Sequence, residues 1–281
     1  MPTSTREPER SGRVDVPITD GAARVSGTPP RIHATTRPAA VAVDLGSGRT
    51  RIWASGQPVL SAPTFSDSLM NPSRLVHRGR IADPAGYERL LTRLLRRYHR
   101  PLPAGAVVVA CRPVLATADD EAAVRRLLTA VFAPSRLLFI DSIRAAAIGV
   151  GATPGVLLVA DVGAQLTEVA VLTGGGVAAA RRADIGVADL IRPTELDPIV
   201  HTIIDLVDDL RRDPRCQDVT DAMTRRGLLL VGGAAGPQLA ARAAGAMGMA
   251  ARAATRPRIV AVRGAGLAAL AALRRAAMTA T

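Results

Sequence analysis

Two segments of this chain repeat one pattern: an apolar run, an aspartate, a turn of small residues, and a second apolar run. They are residues 40–54, AVAVDLGSGRTRIWA, and residues 155–172, GVLLVADVGAQLTEVAVL. Short apolar runs rich in β-branched residues read as strands, so each segment is a strand, a turn and a returning strand. The carboxylates of Asp44 and Asp161 then stand where the first strand enters its turn. Gly46 and Gly48 in one turn and Gly163 in the other allow backbone N–H groups to converge on an anion. Taken alone, either segment reads first as an ordinary β-hairpin with an acidic turn residue. The repetition changes that reading. Two equivalent turns facing each other across a cleft would grip a polyphosphate from both sides, with Asp44 and Asp161 sharing a hydrated magnesium ion. A G-x-x-x-x-G-K-S/T loop is excluded, since neither segment has its spacing and the chain contains no lysine.

With lysine absent, all 36 basic side chains other than histidine are arginine, and the net charge is +12. Such a chain attracts anionic lipid, nucleic acid or acidic proteins. Aromatic residues make up only 2% of the sequence, which removes the stacking platforms a single-strand binder needs, and no DNA-reading helix motif stands out. Nucleic acid is therefore not expected as a partner. About half of the excess charge lies in residues 74–100, where eight arginines meet two acidic residues. That stretch reads first as a solvated helix face and second as a patch for an anionic membrane surface. Cys111 and Cys216 do not form a disulfide scaffold, and His33, His77, His99 and His201 lack the spacing of a zinc site. The first residues are polar and no apolar run is long enough to cross a bilayer, so the expected location is cytoplasmic, or peripheral at the inner face of the membrane.

In chain order, residues 1–37 lack periodicity and are rich in Pro, Thr, Ser, Arg and Gly, the composition of a disordered tail. Residues 56–80 carry Pro58, Pro63 and Pro72 and read as irregular. Asp83 and Pro84 open an amphipathic helix with Tyr87, Leu90, Leu91, Leu94, Leu95 and Tyr98 on one face. Residues 106–111 form a strand, Thr117 to Asp120 a capping box, and residues 137–140 another strand. A small-residue helix, AAAIG at 145–149, follows. Beyond the second hairpin, residues 177–182 extend the sheet and Asp197 with Pro198 opens a capped helix. Residues 227–231 form a strand that leads into Gly232, Gly233, Ala234, Ala235 and Gly236, and a helix covers 239–249. Residues 258–262 and the Gly264-Ala-Gly266 step precede a terminal Ala/Leu helix. This alternation specifies an α/β fold with mixed sheets.

The ordered set resembles the actin-like ATPase superfamily, and most closely the bacterial actin family MreB. Asp44, Gly46, Ser47, Gly48, Arg49 and Thr50 resemble its first phosphate motif. Asp161, Gly163, Ala164, Gln165 and Thr167 resemble the second, and Gly232, Gly233 and Ala234 the adenosine motif. The resemblance runs from about residue 39 to residue 273. It implies an α/β, duplicated ribonuclease-H-like fold with two mixed sheets flanked by helices, divided into halves at 38–148 and 149–281, with ATP and magnesium as cofactors. The departures carry expectations too. The family's second motif has glycines where Ala164 and Gln165 stand, and a threonine where Leu166 stands. Ser142 and Ile143 align with a Glu-Pro pair whose glutamate positions the attacking water, leaving Asp141 one residue out of register. Arg49 replaces a preferred asparagine and offers a phosphate contact or fills space. Only residues 188–196 lie where the family inserts a small subdomain, called IIB, which is therefore expected to be missing.

These features imply a reduced MreB-like scaffold in cell-shape or envelope assembly, at most a weak ATPase. Its implied partners are a full-length MreB-type filament subunit or cell-wall assembly proteins. The alternative is a working ATPase or sugar-type kinase on the same fold, for which Asp141 and the degenerate position Ser142 are the available catalytic candidates.

Overall fold

The computed structural model describes residues 39–66, 73–192 and 195–279. The segment 1–37, read as a tail, lies outside the described residues. The first half begins with strands β1 (Ala40–Leu45), β2 (Arg49–Ala54) and β3 (Leu60–Pro63), and then a short ribbon of β4 (Val76–His77) and β5 (Arg80–Ile81). Helix α1 (Pro84–Leu95), strand β6 (Val107–Arg112), helix α2 (Ala118–Phe132) and strand β7 (Arg136–Asp141) complete it. Helix α3 (Ser142–Gly149) leads to β8 (Leu157–Val162), β9 (Thr167–Thr173), β10 (Gly176–Ala183), α4 (Asp197–Arg211) and α5 (Thr220–Arg226). The chain continues through β11 (Leu228–Val231), α6 (Pro237–Met247), β12 (Ala251–Ala253) and α7 (Val260–Thr279).

The two large sheets have the same plan. Their strand orders are β3-β2-β1-β6-β7 and β10-β9-β8-β11-β12. In each, three sequential antiparallel strands are extended by two parallel ones. Parallel neighbours need a crossover, which α1 and α2 provide in the first half and α4 and α6 in the second. The central strands β1 and β8 bury both faces, which is why their sequences are continuous apolar runs. Val41 and Val43 of β1 pack with Tyr87, Leu90, Leu91 and Leu94 of α1, whereas Ala40 and Ala42 meet Val262, Ala265 and Ala269 of α7. Likewise Leu158, Ala160 and Val162 of β8 face α4 and α6, and Leu157 and Val159 face α3.

Helices α3 and α7 lie against each other as well as against their sheets. Their contact is set by glycine. A Cβ on Gly264 would stand 1.8 Å from the Ala145 carbonyl oxygen, and one on Gly149 would stand 2.2 Å from the Val260 carbonyl oxygen. Gly266 meets the Trp53 ring at similarly close range. Side chains at these positions would force the helices apart and open the core between the halves.

Several local expectations change. The segment read as irregular contains β3, β4 and β5, whose register comes from pairing with β2 or with each other rather than from an alternating pattern. Residues 260–266 are the first turns of α7, the glycines being tolerated there because they carry the close packing. Asp197 is not a cap: the α4 N-cap is Leu196, with no side-chain cap bond, and Asp197 instead pairs with Arg242 of α6 at 2.6 Å. Strand β12 and helix α5 lack a periodic signal in the sequence. Asp83 does cap α1 by accepting from the Gly86 N–H, and Thr117 with Asp120 forms the capping box of α2. Helix α7, within the second half by chain position, packs on β1, β2 and β6 of the first. The link from β10 to α4 is short, with a single 3-10 turn at Val187–Asp189 in its described part.

Candidate functional site

The two hairpins bring their turns together at one end of the sheets. A cleft of about 280 Å³ opens between them. Asp44, Gly46, Ser47, Gly48 and Arg49 line one wall, Asp161, Gly163 and Ala164 the other, with Gly232, Gly233 and Ser142 also at its surface. Gly48 and Ala164 meet across the gap, where a Cβ on Gly48 would lie 2.8 Å from the Ala164 methyl. That methyl thus occupies space between the turns that a glycine would leave open. Gly232, at φ +99°, lies so close to Asp161 that a Cβ there would come within 2.2 Å of its Oδ1.

Other site residues from the sequence fall outside the cleft wall. Thr50 and Thr167 sit at matching places on β2 and β9, both fully buried. Thr50 shares hydrogen bonds of 2.8 Å with the Tyr87 hydroxyl and 2.9 Å with Thr64, while Thr167 donates to the Ile185 carbonyl. Ala234 donates its backbone N–H to the Val162 carbonyl. Gln165 accepts from the Arg78 N–H through its side chain, and its own carbonyl accepts from the Arg78 guanidinium. Arg78 and Gly79 are the two positive-φ residues between β4 and β5, as a tight hairpin turn requires. From there Arg78 also reaches the Asp184 carbonyl and the Asp189 carboxylate, and Gly79 wedges between Pro113 and Leu166. The ribbon of the first half is thereby fastened to the second half beside the cleft. Gln165 is only 5% exposed because it is the receptor of that fastening.

Neither catalytic candidate is positioned as a base. The Asp141 carboxylate accepts from Arg112 Nε at 3.0 Å, and Arg112 also pairs with Glu121. Ser142 borders the cleft but donates its hydroxyl to the Arg112 carbonyl at 3.1 Å. Arg49 turns its Nε to the Ser61 hydroxyl at 3.0 Å.

The charged groups deepest in the cleft include two that the sequence reading did not single out. Arg51, across the ladder from Asp44, is 8% exposed and donates to the Asp44 carboxylate at 3.0 Å. Glu168, across from Asp161, is 4% exposed and accepts the Val114 N–H at 2.9 Å. Strand alternation was the available signal, because it places Arg51 and Glu168 on the same face as the aspartates opposite them. Burial, followed by repulsion from Asp44, pushes the Asp161 carboxyl up to about 7. Burial, followed by repulsion from Asp161, pushes Glu168 up to about 8. The Asp44 carboxyl is raised by burial and partly brought back by Arg51. Cys111, which also borders the cleft, is a buried thiol whose pKa rises with desolvation and the charges of Asp44 and Asp161.

Asp44 is not free to orient the waters of a divalent cation. Its carboxylate is already engaged by the Arg51 guanidinium at 3.0 Å.

Residues 66–191 match the family model described as MreB/Mbl protein. Solved structures match over more of the chain. The AMPPNP-bound MreB 5 of Spiroplasma citri superposes with a TM-score of 0.72 at 14% identity, covering 87% of this chain and 99% of that one. The chain has the actin-like fold. The MamK double helical filament matches this actin-like chain with a TM-score of 0.66 at 14% identity, over 83% of this chain and 99% of that one. The ethanolamine utilization protein EutJ from Carboxydothermus hydrogenoformans matches with a TM-score of 0.61 at 18% identity, over 82% and 89%. No curated protein sequence matches. Within the actin-like fold, the observed cleft lies between the two repeated halves. No helix among the described residues is long and apolar enough to cross a membrane.

Proposed function

We propose that this chain is an MreB-like cytoskeletal scaffold protein in cell-shape or envelope assembly, one that binds ATP weakly and turns it over at close to background rate. The observation that carries this reading is the state of the cleft. Both phosphate-type turns face it, yet Asp141 is held by Arg112 and Ser142 is committed to a carbonyl. A hydrolase needs a base within reach of water, and losing one positioned group commonly costs on the order of 10²–10⁴ in rate. Glu168 does not restore the ATPase or sugar-kinase alternative, because its carboxylate oxygen is already held by the Val114 N–H at 2.9 Å.

The short link between β10 and α4 supports an accessory or capping role on a complete MreB-type subunit. A head-to-tail filament needs complementary surfaces at both ends, and an interface far below ~1,000 Å² holds subunits only transiently. Cell-wall assembly proteins are further candidate partners. Arg89, Arg96 and Arg100 are exposed near α1, which supports a cytoplasmic protein that touches an anionic membrane surface.

Phosphate release, pelleting and electron microscopy test the proposal together. The expected result is background hydrolysis, no extended filaments from the pure chain, and co-sedimentation with a complete MreB-type protein. Hydrolysis abolished by Asp161→Ala, together with long ATP-dependent filaments of this chain alone, would overturn it.

A further inference from the structure

The positive charge that a nucleotide-binding cleft requires is already built into this one. Arg51 stands on β2 directly across the ladder from Asp44, with its guanidinium 3.0 Å from Asp44 Oδ2. Its side chain is 10% exposed, on the wall of the cleft, and the same group donates to the Arg49 carbonyl at the base of the first turn. Arg258 borders the cleft from the loop ahead of α7. Thus one cationic side chain, Arg51, stands at the space between the turns, fixed against the aspartate that would otherwise orient the waters of a metal ion.

A surface ion pair would carry little meaning. This pair differs because burying two charges is costly unless their remaining hydrogen-bonding positions are used. Arg51 has a planar fork with more donors than Asp44 and the Arg49 carbonyl consume, and it borders a cavity rather than packed side chains. A phosphate oxygen entering between Gly46 and Gly163 would meet those donors. The arrangement opposite is different: Glu168 stands at the matching place on β9 and offers an anion only its carboxyl.

We propose that Arg51 takes the place of the divalent cation, so that the cleft binds the polyphosphate of a nucleoside triphosphate without magnesium. This rests on the nucleotide-binding reading above. Arg51 neutralises Asp44 and contacts a phosphate oxygen with its free donors, and added magnesium has no position between Asp44 and the ligand.

Calorimetric titration of the full chain with ATP, in EDTA and in excess magnesium, tests this without any variant. The expected affinities agree within about threefold. Arg51→Met, which keeps the length of the stem, should lose at least tenfold in EDTA and recover part of that loss with magnesium. Arg51→Lys, which keeps the charge if Arg51→Met fails to fold, should stay insensitive to magnesium at reduced affinity. Tightening of the wild-type chain by tenfold or more with magnesium would overturn the inference while leaving nucleotide binding intact. Unchanged binding by Arg51→Met in EDTA would equally overturn it. No binding of ATP under either condition would overturn the nucleotide-binding reading itself.

Discussion

The two hairpins share a backbone plan and differ in electrostatics. In both, an aspartate near the end of the first strand faces a charged residue across the ladder, and a buried threonine precedes that residue. In the first hairpin the facing residue is Arg51, and the pair is acid and base. In the second it is Glu168, and the pair is acid and acid. The fold therefore repeats geometry without repeating chemistry. The first hairpin satisfies its charge internally, whereas the second must retain a proton near neutral pH to avoid two buried like charges.

The sharpest test makes the first hairpin resemble the second. Arg51→Glu removes the partner of Asp44 and adds a carboxylate, and breaking a buried pair in this way costs about 3–5 kcal/mol. Urea denaturation should show that loss at pH 8 and a smaller one at pH 5, where the new carboxyl keeps its proton. Equal stability of the variant and wild type at pH 8 would dissolve the contrast between the hairpins.

The second test uses pH. Asp161 and Glu168 have folded-state pKa values raised above their unfolded ones, so between about 4 and 8 the folded state binds more protons than the unfolded state. Stability must then fall as pH rises through that window. At 1.36 kcal/mol per unit, and allowing for coupling of the two sites, the loss is on the order of 5 kcal/mol. Glu168→Gln should flatten the slope and raise the melting temperature at pH 8, each kcal/mol being worth about 2–4 °C in a domain of this size. A wild-type stability that rises steadily from pH 5 to pH 8 would contradict the protonated pair.

The smallest contrast compares the threonines. Thr50→Val leaves the buried Tyr87 hydroxyl without its partner, while Thr64 keeps its bond to the Gly46 carbonyl, and should cost about 1–3 kcal/mol. Thr167→Val leaves only the Ile185 carbonyl short and should cost about 1 kcal/mol. Thermal melts of the two variants side by side give the order. The reverse order would mean that the Tyr87 hydroxyl finds a replacement.

Much of the architecture was written in local patterns. Alternate helix and strand signals, the Asp83 cap, the capping box at Thr117 and the repeated strand-turn-strand motif each depend on residues near one another in sequence. Those features therefore appear in composition and spacing. The glycine turn after β11 was legible for the same reason, and Gly232 takes a positive φ there.

What the sequence left open depends on contacts between distant segments. Gln165 reads as a lost glycine, and only the tertiary structure shows it tied to Arg78. Arg49 reads as a phosphate contact and Arg51 is not singled out, yet Arg49 turns to Ser61 and Arg51 to Asp44 inside the cleft. Asp141 reads as a carboxylate one place out of register, and its capture by Arg112 follows from the parallel pairing of β6 with β7. Sequence by itself determined the repeated hairpins, the main parallel strands and the aspartates that enter each turn, because hydrophobic periodicity and turn chemistry act over a few residues. Only the tertiary structure decided which charges share the cleft, because burial and pairing are set by whichever strand, ribbon or helix arrives from elsewhere in the chain.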